Sequence, residues 1–298
     1  MRFGIDLGGS KIEIIALDSV GKTLLRRRVA TPQGDYMATV MAISGLVEAA
    51  ELALGARGTV GIGIPGAESL ETGLIKNANS TCLIGKPLRR DLQTVLQREV
   101  RLANDANCFA LSEATDGAGA GVVCVFGVIL GTGVGGGLVV YGRELAGANR
   151  IAGEWGHNPL PAPAPDDLPA PPCYCGRLGC IEAYLSGPAT EAEHAARTGQ
   201  TLSLQKIADN ATLGDPDCQQ TLKRYAERLA RALATVINLL DPDVIVLGGG
   251  VSQIDPLYGQ VPRLWHHYVF SDSVRTRLLP PVHGDSSGVR GAAWLWNA

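Results

Sequence analysis

Two short apolar runs, each broken by glycines and answered by a second apolar run, set the pattern of this chain. Phe3-Gly4-Ile5-Asp6-Leu7-Gly8-Gly9-Ser10 can be laid on Phe126-Gly127-Val128-Ile129-Leu130-Gly131-Thr132-Gly133 without a gap. The returning runs are Ile12-Glu13-Ile14-Ile15-Ala16-Leu17 and Leu138-Val139-Val140-Tyr141. Both are rich in β-branched or large apolar residues, so each copy predicts a strand, a glycine turn and a second strand. The simplest reading of such a repeat is a duplicated α/β domain.

Between the copies the pattern predicts a helix over 36–54, a strand over 59–64 and a strand at 100–102. The last runs into Asn104-Asp105-Ala106-Asn107 and a helical stretch, 108–114. Strands alternating with helices indicate a mostly parallel sheet covered by helices. Further on, Leu222, Tyr225, Leu229, Leu233, Val236 and Leu240 recur at three- and four-residue spacing, which predicts a helix with one buried face. That helix should stop at Asp241-Pro242-Asp243. A strand at 244–247 follows, ending in Gly248-Gly249-Gly250, where residues without Cβ admit another backbone or a ligand. Residues 159–172 contain seven prolines, too many for a ladder or helix, so a stiff exposed loop is expected.

A length of 298 residues suits two lobes with a cleft between them. The expected bounds are 1–117 with 284–298 for a small lobe and 118–283 for a large lobe, in which a cysteine cluster would form a zinc site. An apolar fraction of 46% with 18% charged residues describes a globular chain. The net charge of −3 speaks against nucleic acid or an anionic membrane as partner. The first residues read as a buried strand and not as a signal peptide. No uninterrupted apolar stretch reaches the roughly 18 residues of a membrane helix. A cytoplasmic location is therefore expected, with the seven cysteines reduced and any cluster of them serving as metal ligands.

A glycine turn between strands exposes successive backbone N–H groups that can hold anionic oxygens. Candidate ATP contacts are Gly4, Asp6, Gly8, Gly9, Ser10 and Lys11 in the first turn. The second turn offers Gly131, Thr132, Gly133, Val134 and Gly135, and Gly248, Gly249 and Gly250 join them. Asp6 could bind Mg²⁺ directly or through water, while Ile129 fills the equivalent place in the second copy. A dinucleotide fold is excluded because its glycines must open a helix, whereas the residues after Gly135 read as a strand. No P-loop pattern is present.

Asp105 follows a strand and opens a helix. It is either one of the helix-capping residues or, at the carboxyl end of a strand, a base that accepts the proton of an attacking hydroxyl. Cys173, Cys175 and Cys180 lie within eight residues, with His157 upstream; three thiolates and an imidazole make a closed structural Zn²⁺ site, the alternative being buried unligated thiols. Glu154 and Glu182 flank these ligands, where a rigid metal knot would preorganise them as hydrogen-bond acceptors for a ligand's hydroxyls.

Together these motifs closely resemble the ROK family of bacterial sugar kinases over essentially the whole chain. The resemblance rests on Asp6-Leu7-Gly8-Gly9-Ser10-Lys11, Gly63-Ile64-Pro65-Gly66, Asn104-Asp105, Gly131-Thr132-Gly133 and Glu154-Trp155-Gly156-His157. It is completed by Cys173-Tyr174-Cys175-Gly176, Gly179-Cys180-Ile181-Glu182 and Gly248-Gly249-Gly250. It implies an actin-like ATPase (ribonuclease H-like) fold of two duplicated α/β domains, with Asp105 as general base and zinc on His157, Cys173, Cys175 and Cys180. Sugar contacts are implied for Gly66, Asn79, Asn104, Asp105, Glu154, His157 and Glu182, with ATP and Mg²⁺ as cofactors and a homodimer as an expected assembly.

The tracts 77–81, 154–159 and 283–288 look most like bacterial fructokinases that also accept mannose, which makes the 6-hydroxyl of D-fructose the expected acceptor. N-acetylglucosamine kinase and glucokinase of the same family are the alternatives. A reading of another class, a non-catalytic sugar-responsive regulator, has less use for Asp6, Asp105 and both turns together. The family's repressors carry a helix-turn-helix before the first turn, which here begins at residue 3.

Overall fold

The computed structural model describes residues 1–78 and 80–296. In chain order the first part holds β1 (Arg2–Leu7), β2 (Lys11–Leu17), β3 (Thr23–Ala30), α1 (Tyr36–Leu54), β4 (Thr59–Ile64), β5 (Ala67–Glu68), β6 (Ile75–Lys76), α2 (Leu88–Leu96), β7 (Val100–Asn104) and α3 (Asp105–Asp116). Then come β8 (Cys124–Leu130), β9 (Val134–Val140), β10 (Arg143–Glu144), α4 (Glu182–Leu185), α5 (Gly187–Thr198), α6 (Leu204–Thr212), α7 (Pro216–Leu240), β11 (Val244–Gly248), α8 (Pro256–Trp265), β12 (Arg277–Leu279) and α9 (Ser287–Trp294).

The residues group into two compact units. The first takes Met1–Gly121, Gly137–Ala152 and the chain from Val282 onward; the second takes Val122–Gly136 and Gly153–Pro281. Against the expected lobes, 118–121 and 282–283 fall in the first unit by a few residues at the edges, and the whole of 137–152 joins it. Contacts too distant in sequence to read hold this last segment there. A side chain at Gly137 would overlap the Ala106 carbonyl, and Asn107 Nδ2 donates to Glu144 Oε1 at 2.9 Å. Lys76 Nζ also donates to the Asn149 carbonyl at 3.1 Å.

The first sheet runs β3-β2-β1-β4-β7, with β1 antiparallel to β2 and parallel to β4, and β4 parallel to β7. The second runs β10-β9-β8-β11-β12, with β8 parallel to β11 and β11 parallel to β12. The two orders match strand for strand, so the repeat is a duplication of topology. Asp6 pairs with Gly63 across β1 and β4, and Ile129 pairs with Gly248 across β8 and β11, which makes Asp6 and Ile129 equivalent positions.

In the first unit the core is the apolar face of β1, β2 and β4 closed by α1, whose Val40, Ile43, Val47 and Ala50 are fully buried. Helix α1 is long and apolar enough to cross a membrane by length and hydropathy, with a mean hydropathy of 1.6. It is not an uninterrupted apolar stretch, since Thr39, Ser44, Glu48 and Glu51 break it. Its buried stripe lies in the sheet's core cluster, the arrangement of a core helix. On the other side of the sheet α9 lies directly on β1 and β4. Side chains at Gly4 and Gly61 would overlap the carbonyls of Val289 and Ala292. Gly4 is therefore a packing glycine, and its expected role in nucleotide binding is corrected: it is buried under α9.

In the second unit the apolar stripe of α7 is buried as its spacing predicts, with Leu240 exposed at the helix end. The proline-rich segment departs from expectation. It makes isolated bridges, Pro159 with Cys180 and Pro172 with Leu178, and it buries Leu160 and Asp167. Arg228 Nε and Arg231 Nη2 on α7 donate to the two oxygens of Asp167, each at 2.7 Å. Arg231 Nη1 donates to the Ala162 carbonyl at 2.6 Å, and Arg224 pairs with Asp166. The segment is a strap clipped to one face of α7, since residues spaced by four and three share a face.

Candidate active site

The carboxyl ends of β1, β4 and β7 gather the candidate residues of the first unit. Asn104 ends β7 and caps α3, accepting from the Ala106 N–H at 2.9 Å, while its Nδ2 donates to the Gly66 carbonyl at 3.2 Å. Gly66 has φ +101°, and a Cβ there would come within 2.5 Å of the Lys76 carbonyl, so only glycine fits. With the cap supplied by Asn104, Asp105 stands as the first helical residue, half-buried, its Oδ1 2.8 Å from the same Ala106 N–H. A helix N-terminus favours a carboxylate there. Asn79 lies outside the described residues.

Asp6 sits at the carboxyl end of β1. Burial, reinforced by the charges of Asp105 and Glu13, raises its carboxyl from 3.8 to about 6. A carboxyl that resists ionisation beside other acids is a setting for a hard cation, and oxygen donors suit Mg²⁺. Glu13, directly across from Asp6 in the β1–β2 register, is buried and paired with Arg26 and Arg28 of β3, which in turn hold Asp285. The turn itself is closed by Gly8 N–H donating to the Lys11 carbonyl at 3.0 Å, and Thr31 Oγ1 donates to the Gly8 carbonyl at 2.7 Å. Gly8 thus spends its N–H on the turn, and the exposed residues that follow it are Gly9, Ser10 and Lys11.

The second glycine turn and its neighbours lie wholly in the second unit. Gly131 N–H closes its turn on the Gly133 carbonyl at 3.0 Å, leaving Thr132 exposed at the tip. Gly249, with φ +76°, packs so tightly on Leu130 that a side chain would overlap its carbonyl, which sets the glycine triplet against this turn. Gly248 itself is a buried strand residue paired with Ile129. Trp155 Nε1 donates to the Gly135 carbonyl at 3.0 Å, and Gly156 abuts Val134, so the tract carrying Glu154 and His157 lies along the return strand. Glu182 Oε2 accepts from the Val134 N–H at 2.8 Å.

His157, Cys173, Cys175 and Cys180 bring one ligand atom each within 4.8 Å of one another. Cys173 Sγ is 3.6 Å from His157 Nδ1, and Cys175 Sγ is 3.6 Å from Cys180 Sγ. A tetrahedron of Zn–S bonds near 2.3 Å has edges of about 3.8 Å, so the donor set and spacing fit zinc. Burial pushes the Cys180 thiol up, while the Arg177 backbone N–H holds Cys175 down.

Sequence reasoning missed Tyr174. Its hydroxyl is 3.1 Å from His157 Nε2, so both imidazole nitrogens are engaged, one toward the thiols and one toward the phenol. Burial, then the nearby Glu182, Cys173 and Glu154, raise the phenol. Its place inside Cys173-Tyr174-Cys175 was the available signal. The Glu13-Arg26-Arg28-Asp285 network was also missed. An acid inside an apolar strand and arginines two apart on the next strand were its only traces.

Two units with the same strand order, each with a glycine turn at the carboxyl end of its sheet, define an actin-like ATPase fold. Residues 2–298 match the ROK family. The chain belongs to that family, as one of its sugar kinases. It is 40% identical over 299 residues to an N-acetyl-D-glucosamine kinase of Yersinia pseudotuberculosis, covering 99% of this chain and 98% of the relative. Among solved structures it is similar to the ROK hexokinase of Thermus thermophilus (TM-score 0.86, 31% identity, 98% of this chain and 96% of that one). A ROK glucokinase of Streptomyces griseus, solved with glucose and AMPPNP, is similar at TM-score 0.80 and 28% identity, over 99% and 98% of the two chains. The fructose expectation gives way here, because relatives aligned over nearly the whole chain are N-acetyl-D-glucosamine kinases. The short tracts that suggested fructose carry less weight than that alignment.

Proposed function

We propose that this chain transfers the γ-phosphoryl group of ATP to the 6-hydroxyl of N-acetyl-D-glucosamine. The observation that carries the substrate is the 40% identity to an N-acetyl-D-glucosamine kinase over 99% of the chain. The 6-hydroxyl is that sugar's only primary alcohol and the least hindered nucleophile. Asp105, held at the first turn of α3, orients the hydroxyl; the oxygen attacks the γ-phosphorus, ADP leaves, and Asp105 accepts the proton late, as a loose transition state allows. Asp6 would hold Mg²⁺, which neutralises charge on the phosphates when bound. Gly9, Ser10 and Lys11 of the first turn, and Thr132 and Gly133 of the second, are the residues assigned to receive nucleotide oxygens.

Asn104 and Gly66, linked by their hydrogen bond, are taken as sugar contacts, as are Glu154 and Glu182. His157, Cys173, Cys175 and Cys180 would hold a structural Zn²⁺ that fixes both glutamates and takes no part in the chemistry. The test is kcat/KM with MgATP for N-acetyl-D-glucosamine, glucose, mannose and fructose, following ADP release. The highest value is expected for N-acetyl-D-glucosamine. A higher value for any other hexose overturns the substrate, and sugar binding without turnover overturns the kinase.

A further inference from the structure

Glu182 is expected at the sugar, yet its carboxylate is hydrogen-bonded to the turn expected to hold phosphate. Oε2 accepts from the N–H of Val134, the first residue of β9, at 2.8 Å. A Cβ added to Gly133 would lie 2.7 Å from that same oxygen. Gly133 does not have a left-handed φ, so the backbone does not ask for glycine there. Nor does the turn as such, because the equivalent residue of the first copy is Ser10. The missing side chain at 133 admits the carboxylate.

The carboxylate is also delivered by a fixed base. Ile181 N–H donates to the Asn158 carbonyl at 2.8 Å, and Cys180 bridges to Pro159 and lies in the cluster with His157, Cys173 and Cys175. Tyr184, two residues on, donates its hydroxyl to the Asp167 carbonyl at 3.0 Å, and its ring lies under Arg228. The backbone of α4 is thus pinned on both sides of Glu182, and the carboxylate can leave Val134 only by side-chain rotation.

Resting on the kinase reading above, we infer that Glu182 makes nucleotide binding depend on sugar: without sugar its carboxylate takes the Val134 N–H and repels phosphate from the turn. A sugar hydroxyl donating to Glu182 turns the carboxylate away and leaves that N–H to a nucleotide oxygen. The two ligands then bind with positive coupling, and by linkage each strengthens the other by the same factor. A further consequence is that the sugar-free enzyme holds ATP weakly, which limits hydrolysis by water.

The test is calorimetric titration of Mg-AMPPNP into the full chain, with and without saturating N-acetyl-D-glucosamine, for wild type, Glu182→Gln and Gly133→Ser. In wild type the sugar is expected to tighten nucleotide binding about tenfold or more. Glu182→Gln and Gly133→Ser should each bind nucleotide more tightly than wild type in the absence of sugar, and the coupling should fall toward one. A wild-type nucleotide affinity indifferent to sugar would overturn the inference, as would an unchanged sugar-free affinity in a folded Glu182→Gln protein. Wild type that phosphorylates no hexose would remove the kinase reading as well, whereas an active but uncoupled wild type removes only this inference.

Discussion

Arg228 on α7 donates from Nε to Oδ1 of Asp167 at 2.7 Å, across 61 residues of sequence, with both side chains almost wholly enclosed. Burial opposes ionisation of Asp167, but hydrogen bonds from Arg228, the Ala164 N–H and Arg231 outweigh it and hold the carboxyl below its usual range. Removing one partner of a buried pair strands the other, at a cost of about 3–5 kcal/mol. Asp167→Ala should lose stability of that order in urea unfolding. Because the folded-state carboxyl is depressed, this stabilisation is present above the unfolded aspartate range and is lost as pH falls through the folded value. The wild-type-to-Asp167→Ala gap should therefore shrink in acid.

Asp105→Asn should fold, since Asn104 supplies the cap of α3. The expected loss is about 10²–10⁴-fold in kcat with little change in sugar affinity. Asn104→Ala, by contrast, should cost about 1 kcal/mol of stability through the lost cap. Steady-state kinetics beside thermal melts separate the two residues, and near-normal turnover in Asp105→Asn would remove Asp105 from its role.

Asp6→Asn is expected to raise the melting temperature of the metal-free protein at pH 7 while abolishing activity. Burial raises the folded-state carboxyl to about 6, above its unfolded value. The folded state therefore prefers the protonated acid, and that preference is fully present below the unfolded value and is lost as pH rises through about 6. At pH 7 the buried carboxylate costs roughly 1–3 kcal/mol. The stabilisation by Asp6→Asn should be smaller at pH 5 than at pH 7, and equal shifts at both would contradict the assignment.

Cys175→Ser should lower both zinc content and melting temperature, and weaken sugar binding without altering the order of sugar preference. Atomic absorption and calorimetry follow the two effects. Sugar affinity unchanged in protein shown to lack zinc would detach Glu154 and Glu182 from the knot.

Gly4→Ala and Gly9→Ala should part company. A methyl at Gly4 would overlap the Val289 carbonyl, while at Gly9 the nearest atom, Ser80 Oγ, stays 3.7 Å away. The first should cost about 1–3 kcal/mol of stability. The second should leave the melt almost unchanged and raise KM for ATP.

The legible parts of the fold are those where one-sided burial imposes a period. Helix α1 and strand β4 fall on 36–54 and 59–64 as their apolar residues predict. Strand β3 carries no such mark, because nearly all of it is exposed and it is held by its ladder with β2. Arg228 and Arg231 look like the polar face of α7, and only Asp167 on a distant strap makes them buried. The clustering of His157 with Cys173, Cys175 and Cys180 could be read because three of the four are local in sequence. The bond from Glu182 to Val134 could not, since nothing in either stretch names the other.

Helix α9 lies on β1 and β4 through contacts that require glycine at positions 4 and 61. On the ribosome, those two strands emerge long before the helix that covers them. The intervening second-unit segment, 153–281, takes roughly 6–26 s to synthesise at ordinary elongation rates. During that interval one face of the nascent first sheet is bare, and a holdase chaperone would find its substrate there.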